Sequence, residues 1–315
     1  MTVYQIVPHL PPPFEGIGTY ASALAGALAE RGVGTRFVTG ERRTPEALLE
    51  GLQGSTTVLL HYANYGYQSR GCPLWLAEGL DRWHTPGRRL VTFFHEVWAS
   101  GPPWRSSFWL LPVQKRLAAR VARLSAALAT SLERYQEMLG GGAEVMPVFS
   151  TVGEPAVVPP LAERARRIVV FGGAGVRRRA WGRFLPDLER AVRSLGAEEI
   201  CDVGPPVEVP ATAGGVPVRR LGVLPPEGVS ALLLGSAAGF LAYPPDFLPK
   251  STIFAAYCAH GVAPVCAWDG APSGPLWWSG SGDPQAVASA ARDWYAGHSL
   301  ARQAERFQSL LDGTR

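Results

Sequence analysis

Three of the six histidines directly follow strand-like apolar runs in the first half of the chain. They are His9, His61 and His95. The carboxyl ends of parallel strands meet at one edge of a sheet, so we expect these side chains to share a polar site. An imidazole there hydrogen-bonds a hydroxyl or a phosphate, and the neighbouring Glu96 would tune the charge of His95. Because no cysteine or carboxylate partner completes a set of ligands, we predict no metal site.

A glycine-containing segment, Gly16-Ile17-Gly18, separates the first strand-like run from the first helix-like segment. Glycine has no Cβ, so the backbone can approach a ligand closely. A helix that begins near Thr19 would direct unpaired amides and its positive dipole end at the ligand, which suits a phosphate or a sugar hydroxyl. The third glycine of the dinucleotide fingerprint is missing, so the alternative of a plain glycine turn stays open.

A second small-residue segment, Gly172-Gly173, ends a strand-like run in the second half and leads to Arg177 and Arg178. Guanidinium groups bind phosphate oxygens through paired hydrogen bonds. We therefore predict that Gly173, Arg177 and Arg178 bind a diphosphate, with a solvated basic turn as the alternative.

A third candidate segment runs from Asp246 to Thr252, after another strand-like run. The ammonium of Lys250, the hydroxyls of Ser251 and Thr252, and the first amides of the following helix would all suit one phosphate group. The alternative is an ordinary helix cap beside an exposed lysine.

Composition restricts the class of protein. The 315 residues are 47% hydrophobic and 18% charged, which indicates a globular protein with a large core and excludes a disordered chain. The sequence has no long apolar run and no basic, apolar leader, so we predict a cytoplasmic protein. A net charge of +4 fits an anionic small ligand. Basic stripes with interleaved aromatic residues are missing, so nucleic acid is not predicted as a partner.

Strand-like and helix-like segments alternate along the whole chain, which predicts parallel sheets covered by helices. We predict strands at Val3–Val7, Thr35–Thr39, Thr57–Leu60, Leu90–Phe94, Ala126–Thr130, Glu144–Val148, Ile168–Phe171, Glu199–Val203, Val216–Arg220, Ala237–Tyr243 and Ala263–Ala267. The longer predicted helices include Thr19–Arg31, Pro73–Trp83, Ser106–Ser125, Trp181–Leu195, Pro226–Leu234, Thr252–His260 and Pro284–Leu311.

A proline-rich linker, Thr151 to Leu161, divides this pattern into two halves. The fold class is therefore predicted as α/β, with two Rossmann-like domains that face a cleft. The predicted domains are residues 1–150 and 162–290, and a C-terminal helix over 291–315 would pack back on the first domain.

Together these motifs resemble the GT-B glycosyltransferases, in particular the retaining family-four group, over nearly the whole chain. The similarity lies in the glycine segment followed by Thr19-Tyr20-Ala21, in His95-Glu96, and in Gly172-Gly173 with its arginines. It extends through Leu221–Leu233 to Gly261–Val265. The sequence departs from the family at Leu248 and Ala256, where the family has two glutamates.

The resemblance implies transfer of a sugar from a nucleoside-diphosphate donor with retained configuration and without a cofactor. We expect no metal to be required, because arginine and lysine would neutralise the charge of the diphosphate. The second domain would bind the donor, with Gly173, Arg177, Arg178, Asp246, Lys250, Ser251 and Thr252 as its ligands. The first domain would bind an acceptor, whether a small molecule, a glycan or a lipid-linked group, through His9, Gly16, Ile17, Gly18 and Glu96. His95 and Lys250 would be the catalytic residues.

Three other interpretations remain open. Loss of the acid pair would also suit a non-catalytic GT-B protein that binds a nucleotide or glycan. A sugar-nucleotide epimerase would need acids in the cleft, for which Glu15, Glu96 and Asp246 are the few candidates. The basic helix-like segment Ser106–Ser125 suits either contact with an anionic membrane or a solvated surface. A nicotinamide dehydrogenase fits less well, because neither glycine segment is followed by a clear ribose-binding acid.

Overall fold

The structure is a computed structural model of the chain, and it describes residues 1–11, 16–269, 274–278 and 282–314. Glu15 and Arg315 lie outside the described residues. In chain order the strands are β1 (Thr2–Val7), β2 (Gly34–Thr39), β3 (Thr57–Tyr62), β4 (Arg89–Phe94), β5 (Ala127–Thr130), β6 (Glu144–Val145), β7 (Ala165–Phe171), β8 (Glu199–Val203), β9 (Thr212–Ala213), β10 (Val216–Gly222), β11 (Ser236–Ala242) and β12 (Ala263–Ala267).

The α-helices, in the same order, are α1 (Gly16–Glu30), α2 (Pro45–Gly51), α3 (Asn64–Tyr67), α4 (Leu74–Trp83), α5 (Ser106–Leu124), α6 (Glu133–Met138), α7 (Ala174–Trp181), α8 (Leu185–Leu195), α9 (Pro226–Leu234), α10 (Thr252–Ala259), α11 (Pro284–Ala296) and α12 (Leu300–Asp312). Short 3-10 helices occupy Leu161–Glu163 and Pro245–Lys250.

Two compact units divide the chain. The first unit consists of Met1–Pro147 together with Leu300–Arg315, and the second unit is Val148–Ser299. Helix α12 packs against α1, β3 and β4 in the first unit, where the ring of Phe307 meets the ring of Phe93 edge-on, with a centroid distance of 5.4 Å.

The first unit has a parallel sheet in the order β2-β1-β3-β4-β5-β6. Every residue of β3 is buried, because helices cover the sheet on both faces. The chain adds β2 on one side of β1 and all later strands on the other side. The gap between β1 and β3 is therefore the topological switch point, where ligands of such sheets bind.

The second unit has a sheet in the order β12-β11-β7-β8-β10-β9, in which only the short edge strand β9 is antiparallel. Here the chain adds β8, β9 and β10 on one side of β7 and then β11 and β12 on the other side. The gap between β7 and β11 is therefore the second switch point. The predicted α/β class with two Rossmann-like sheets is confirmed.

A buried tyrosine spans the switch point of each sheet. The hydroxyl of Tyr67 lies 3.0 Å from the carbonyl oxygen of Ile6 in β1 and 3.1 Å from that of His61 in β3. The hydroxyl of Tyr257 lies 3.0 Å from the carbonyl oxygens of both Val169 in β7 and Phe240 in β11. Each hydroxyl thus lies within hydrogen-bond distance of a buried carbonyl oxygen on each of the two strands that flank the switch point.

Three predicted boundaries are wrong. The segment Pro284–Leu311 is two helices, because the chain leaves the helix at Gly297 and resumes it at Leu300. The segment Trp181–Leu195 is also interrupted, since Gly182 adopts φ −98° and ψ −97° between α7 and α8. The strand predicted over Glu144–Val148 pairs only at its first two residues.

Candidate functional site

Two of the predicted segments meet at the switch point of the second unit. Gly172 directly follows β7 with φ +129°, a backbone conformation that favours glycine. A Cβ atom at this position would lie 2.4 Å from Cδ1 of Ile253, the second residue of α10. The loop after β7 and the start of α10 are therefore in direct contact, as the prediction of one shared phosphate site requires.

The start of α10 is capped by Ser251. Its hydroxyl oxygen accepts a hydrogen bond of 3.2 Å from the amide of Phe254, and the side chain is buried. Ser251 thus serves as the helix cap that the alternative interpretation described. Lys250, at the end of the 3-10 helix, is half-buried, and its ammonium lies 5.8 Å from the centroid of the Phe247 ring. Thr252 is the half-buried first residue of the helix.

Arg177 does not present its guanidinium to solvent, which contradicts its predicted role as a diphosphate ligand. The residue is 2% exposed, and its Nε donates to Oδ1 of Asp202 at 2.9 Å. Its two terminal nitrogens donate to Oδ2 of Asp202 and to the carbonyl oxygen of Pro205. Trp181 donates to the same carboxylate at 2.7 Å. A buried cation needs such partners, so the arginine holds the loops after β7 and β8 together.

The other predicted donor ligands are accessible. Gly173 is exposed directly before α7, Arg178 is exposed in the last turn of that helix, and Asp246 is exposed on the 3-10 helix. A Cβ atom at Gly173 would meet no atom within 4 Å, so the space beside this residue is open. Nε of Arg178 donates to the carbonyl oxygen of Ala174 at 3.3 Å, within its own helix. The open side of Gly173 and the ammonium of Lys250 thus belong to loops at the same sheet edge.

At the edge of the first sheet, two of the three predicted histidines form a hydrogen-bonded pair. Nδ1 of His61 lies 3.1 Å from Nε2 of His95. Nε2 of His61 lies 2.8 Å from Oε1 of Gln5, a fully buried residue of β1. The amide nitrogen of Gln5 in turn donates to the hydroxyl of Thr35 at 3.3 Å. Four polar side chains from β1, β2, β3 and the end of β4 thus form one chain of contacts.

Aromatic rings enclose this histidine pair. The ring of Tyr20 lies edge-on to His95, with a centroid distance of 5.2 Å, and stacks on Phe93 at 5.6 Å. Phe93 also meets His95 edge-on at 4.5 Å. Burial lowers the pKa of His61 to about 3, because the imidazolium would lose its water shell. His61 is therefore neutral near pH 7, while His95 is half-buried.

The remaining predicted acceptor ligands are spread over the same end of the first unit. Nδ1 of His9 lies 4.0 Å from a carboxylate oxygen of Glu41, so His9 is not part of the hydrogen-bonded pair. Gly16 is exposed, Ile17 is half-buried and Gly18 is buried, and all three form the first turn of α1. The backbone amides of His95 and Glu96 both donate to the carbonyl oxygen of Tyr62, at 2.9 and 3.3 Å.

Helix α5 and Trp104, two residues before it, present a surface of aromatic and cationic side chains, which we call the α5 face. Its large apolar members are Trp104, Phe108 and Trp109, which are 83%, 42% and 69% exposed. Lys115 and Arg116 follow on the exposed side of the helix, and α5 contains no acidic residue. The adjoining cavity of about 460 Å³ is lined by Trp98, Lys115, Ala119, Ala122, Arg123, Leu128, Met138 and Leu139.

Two further observations concern metals and membranes. Among the residues that the structure describes, no group of three or more His, Cys, Asp or Glu side chains is arranged to hold a metal ion. Within the same residues, every helix is too short or too polar to cross a membrane.

Comparison of the structure with solved structures identifies the fold. An alpha-glucosyltransferase in complex with UDP-glucose and DNA containing an abasic site matches with a TM-score of 0.58 and 10% identity, covering 98% of this chain and 94% of that chain. T4 phage BGT in complex with its UDP-glucose substrate matches with a TM-score of 0.52 and 9% identity, over 99% and 100% of the two chains. The chain has the GT-B fold. No family model matches the sequence, and no curated protein matches it.

A GT-B structure from S. aureus, the MnaA–UDP co-structure, matches with a TM-score of 0.50 and 10% identity, over 96% of this chain and 90% of that chain. At such identities the likeness concerns the path of the backbone, so the side chains must be considered one by one. Sequence reasoning missed Gln5 and Asp202. The signal was present for both, since each is a polar residue inside an otherwise apolar strand, where a buried polar group needs a partner.

Proposed function

We propose that this GT-B protein is a glycosyltransferase whose second unit binds a nucleoside-diphosphate sugar and whose first unit binds the acceptor. The observation that carries the proposal is the contact between Gly172 and Ile253, which joins the glycine loop to the start of α10. Solved structures of the same fold contain UDP or UDP-glucose, which makes a uridine nucleotide the first donor to test.

The donor diphosphate would lie against the open side of Gly173 and the first amides of α10. A helix start attracts anions through its unpaired N–H groups and its dipole. Lys250 immediately precedes the Ser251 cap and supplies a full positive charge there. Arg178 is exposed in the last turn of α7 and Asp246 is exposed on the 3-10 helix, and we assign the arginine to a phosphate and the carboxylate to hydroxyls of the donor sugar.

In the proposed reaction, the bond between the sugar C1 and the diphosphate oxygen breaks, and the acceptor oxygen forms the new bond to C1. The acceptor hydroxyl transfers its proton to the oxygen of the departing nucleoside diphosphate, which then leaves. Lys250 and the α10 amides stabilise the negative charge that develops on the leaving group, so no metal is required. His95 hydrogen-bonds a sugar hydroxyl, and the resemblance to the family-four enzymes favours retained configuration.

We further propose that the acceptor is lipid-linked and that the α5 face contacts an anionic membrane surface. Two exposed aromatic side chains and two cations on a helix without acids, with a third exposed aromatic residue just before it, have the composition of an interfacial helix. The adjoining cavity combines an apolar floor with Lys115 and Arg123, which suits an apolar chain that carries a phosphate.

The test is a panel of nucleotides and nucleotide sugars, read first by thermal stability and then by release of the nucleoside diphosphate. A ligand at about 100 times its Kd stabilises the folded state by roughly 2.7 kcal/mol. We expect UDP to stabilise the protein and one UDP-sugar to be turned over. A panel in which no nucleotide stabilises the protein would overturn the donor site.

A non-catalytic binding protein is the second candidate, and one observation favours it. Leu248 and Ala256 stand at the positions where the resemblance implies glutamates, and both are buried. Tight binding of UDP without turnover of any donor, with and without anionic vesicles, would select this candidate over the enzyme.

A further inference from the structure

We propose that His61 is a positioning residue for His95, holding it through a fixed hydrogen-bond relay that begins at Gln5. In this relay Gln5 accepts a hydrogen bond from Nε2–H of His61, and Nδ1 of His61 accepts one from Nε2–H of His95. The consequence is that His95 gains and loses protons at Nδ1. The catalytic meaning of the relay rests on the proposed function, whereas the relay itself does not.

The direction of the relay follows from Gln5. Its carbonyl oxygen lies 2.8 Å from Nε2 of His61, and its amide nitrogen lies 3.3 Å from the hydroxyl of Thr35. A carbonyl oxygen only accepts, so that nitrogen of His61 carries the hydrogen. A neutral imidazole has one N–H, so Nδ1 of His61 has a lone pair and the 3.1 Å contact needs a hydrogen on His95.

Burial keeps His61 in this role. The side chain is fully buried, and the same burial that lowers its pKa prevents it from competing for the proton of His95. His61 can therefore accept the hydrogen bond whether His95 is neutral or charged. A neutral acceptor stabilises an imidazolium less than a carboxylate would, so His95 is oriented without becoming permanently charged.

Other titratable groups lie near the pair. Tyr20, from α1, packs on both imidazole rings, and burial raises its pKa far above neutrality. Arg306, from α12, acts on Tyr20 through its charge and is itself paired with Glu144. Glu96 follows His95 in the chain. The 3.1 Å contact itself makes the neutral His61 an acceptor at Nε2 of His95.

The experiment uses the full chain labelled with ¹⁵N histidine, and it records the tautomer and titration of each imidazole by NMR. We expect His61 to carry its hydrogen on Nε2 and to remain neutral to below about pH 5. His61→Phe keeps the ring and removes the acceptor, so we expect the pKa of His95 to fall by about 1. A hydrogen on Nδ1 of His61, or an unchanged His95 pKa in His61→Phe, would overturn the relay.

Tyr67→Phe is the matched control. It removes a buried hydroxyl that contacts the backbone of His61 and leaves the imidazole contacts intact, so the His95 pKa should stay unchanged. If His61→Phe does not fold, Gln5→Met replaces it, and we expect that variant to populate both tautomers of His61. A single unchanged tautomer in Gln5→Met contradicts the role of Gln5.

An activity measurement separates this inference from the proposed function. With the donor identified by the nucleotide-sugar panel, we expect His61→Phe to lower kcat about 10-fold and to leave the KM for the donor unchanged. A wild-type protein without turnover refutes the proposed function, and the NMR titration then decides the relay by itself.

Discussion

The Cβ atom of an alanine at Gly172 would lie 2.4 Å from Cδ1 of Ile253, whereas the same atom at Gly173 would meet nothing within 4 Å. The absence of a side chain therefore has a different consequence at Gly172 than at Gly173. Gly172 is required by packing and by its φ of +129°, while the open space beside Gly173 leaves room for a ligand.

We expect Gly172→Ala to lower the free energy of unfolding by about 1–3 kcal/mol, because alanine is strained in this conformation and displaces Ile253. Gly173→Ala should lower it by less than about 1 kcal/mol, the usual effect of alanine at a helix N-cap. Urea unfolding measures both. If the diphosphate lies beside Gly173, the second variant should weaken UDP binding about 10-fold in calorimetry. Equal affinity in Gly173→Ala would move the diphosphate away from this loop.

Lys250→Ala should lower kcat/KM about 100-fold with the donor found in the panel, since single groups that stabilise a leaving anion have effects of this size. Arg190→Ala is the control in the same unit, because Arg190 is an exposed cation paired with Asp187. Its kcat/KM should stay within about 2-fold of wild type. Unchanged turnover in Lys250→Ala removes this lysine from the mechanism.

Asp202→Asn should lower the free energy of unfolding by about 3 kcal/mol, because it leaves the buried guanidinium of Arg177 without its counter-charge. Asp187→Asn breaks the exposed pair with Arg190 and should change stability by less than about 0.5 kcal/mol. Both values come from urea unfolding near neutral pH. Comparable small losses in the two variants would show that the Arg177–Asp202 pair is not a buried support of the loops.

The stability of the protein should decrease as the pH falls from about 6.5 toward 3. The unfolded chain binds a proton at His61 in this range and the folded chain does not, because the folded pKa is about 3. His260, whose pKa burial also lowers, contributes in the same direction. The slope for one histidine approaches about 1.4 kcal/mol per pH unit.

Urea unfolding of wild type and His61→Phe between about pH 5 and pH 7 measures the contribution of His61. This range lies above the region where most carboxylates titrate, so the histidines dominate the change. The variant should have the shallower slope. Parallel slopes would mean that His61 has the same protonation in the folded and unfolded states.

The α5 face should bind vesicles that contain anionic lipid and not vesicles of zwitterionic lipid alone. We expect the double variant Trp104→Ala and Trp109→Ala to lose most of this binding in flotation assays, since both indoles are exposed. Val157→Ala, at an exposed apolar residue of the second unit, is the control. Binding to a single-stranded oligonucleotide in preference to anionic vesicles would contradict the membrane proposal.

The sequence predicted the strands well because most are short apolar runs between glycine, proline and polar residues. The bounds of β8, β12 and α9 agree with the prediction to the residue. Apolar periodicity continues through Gly297, so it could not reveal that α11 and α12 are separate helices in different units. A break of a few residues changes the packing partner without changing the pattern.

The side-chain roles at the two sheet edges were harder to predict. Three arginines after Gly173 look alike in the sequence, and only the position of Asp202, on the neighbouring strand, separates Arg177 from the other two. The sequence predicted a shared site at one sheet edge but not the pair; His61 lies near the end of β3, and His95 directly follows the adjacent strand β4. The position of His9 away from this pair could not be predicted. His9 lies in a loop, and the pattern of apolar residues does not determine the geometry of loops.

Tyr67 and Tyr257 have the same structural role in the two units, since each bridges two neighbouring strands. Each hydroxyl lies within hydrogen-bond distance of two strands, so it helps to set the separation of those strands at the switch point. Loop sequences at the edge of either sheet can therefore diverge, or be exchanged by design, while the spacing of the strands in the sheet is kept. The loops at the carboxyl ends of the two sheets are therefore the parts to change in order to alter ligand specificity, with both tyrosines retained.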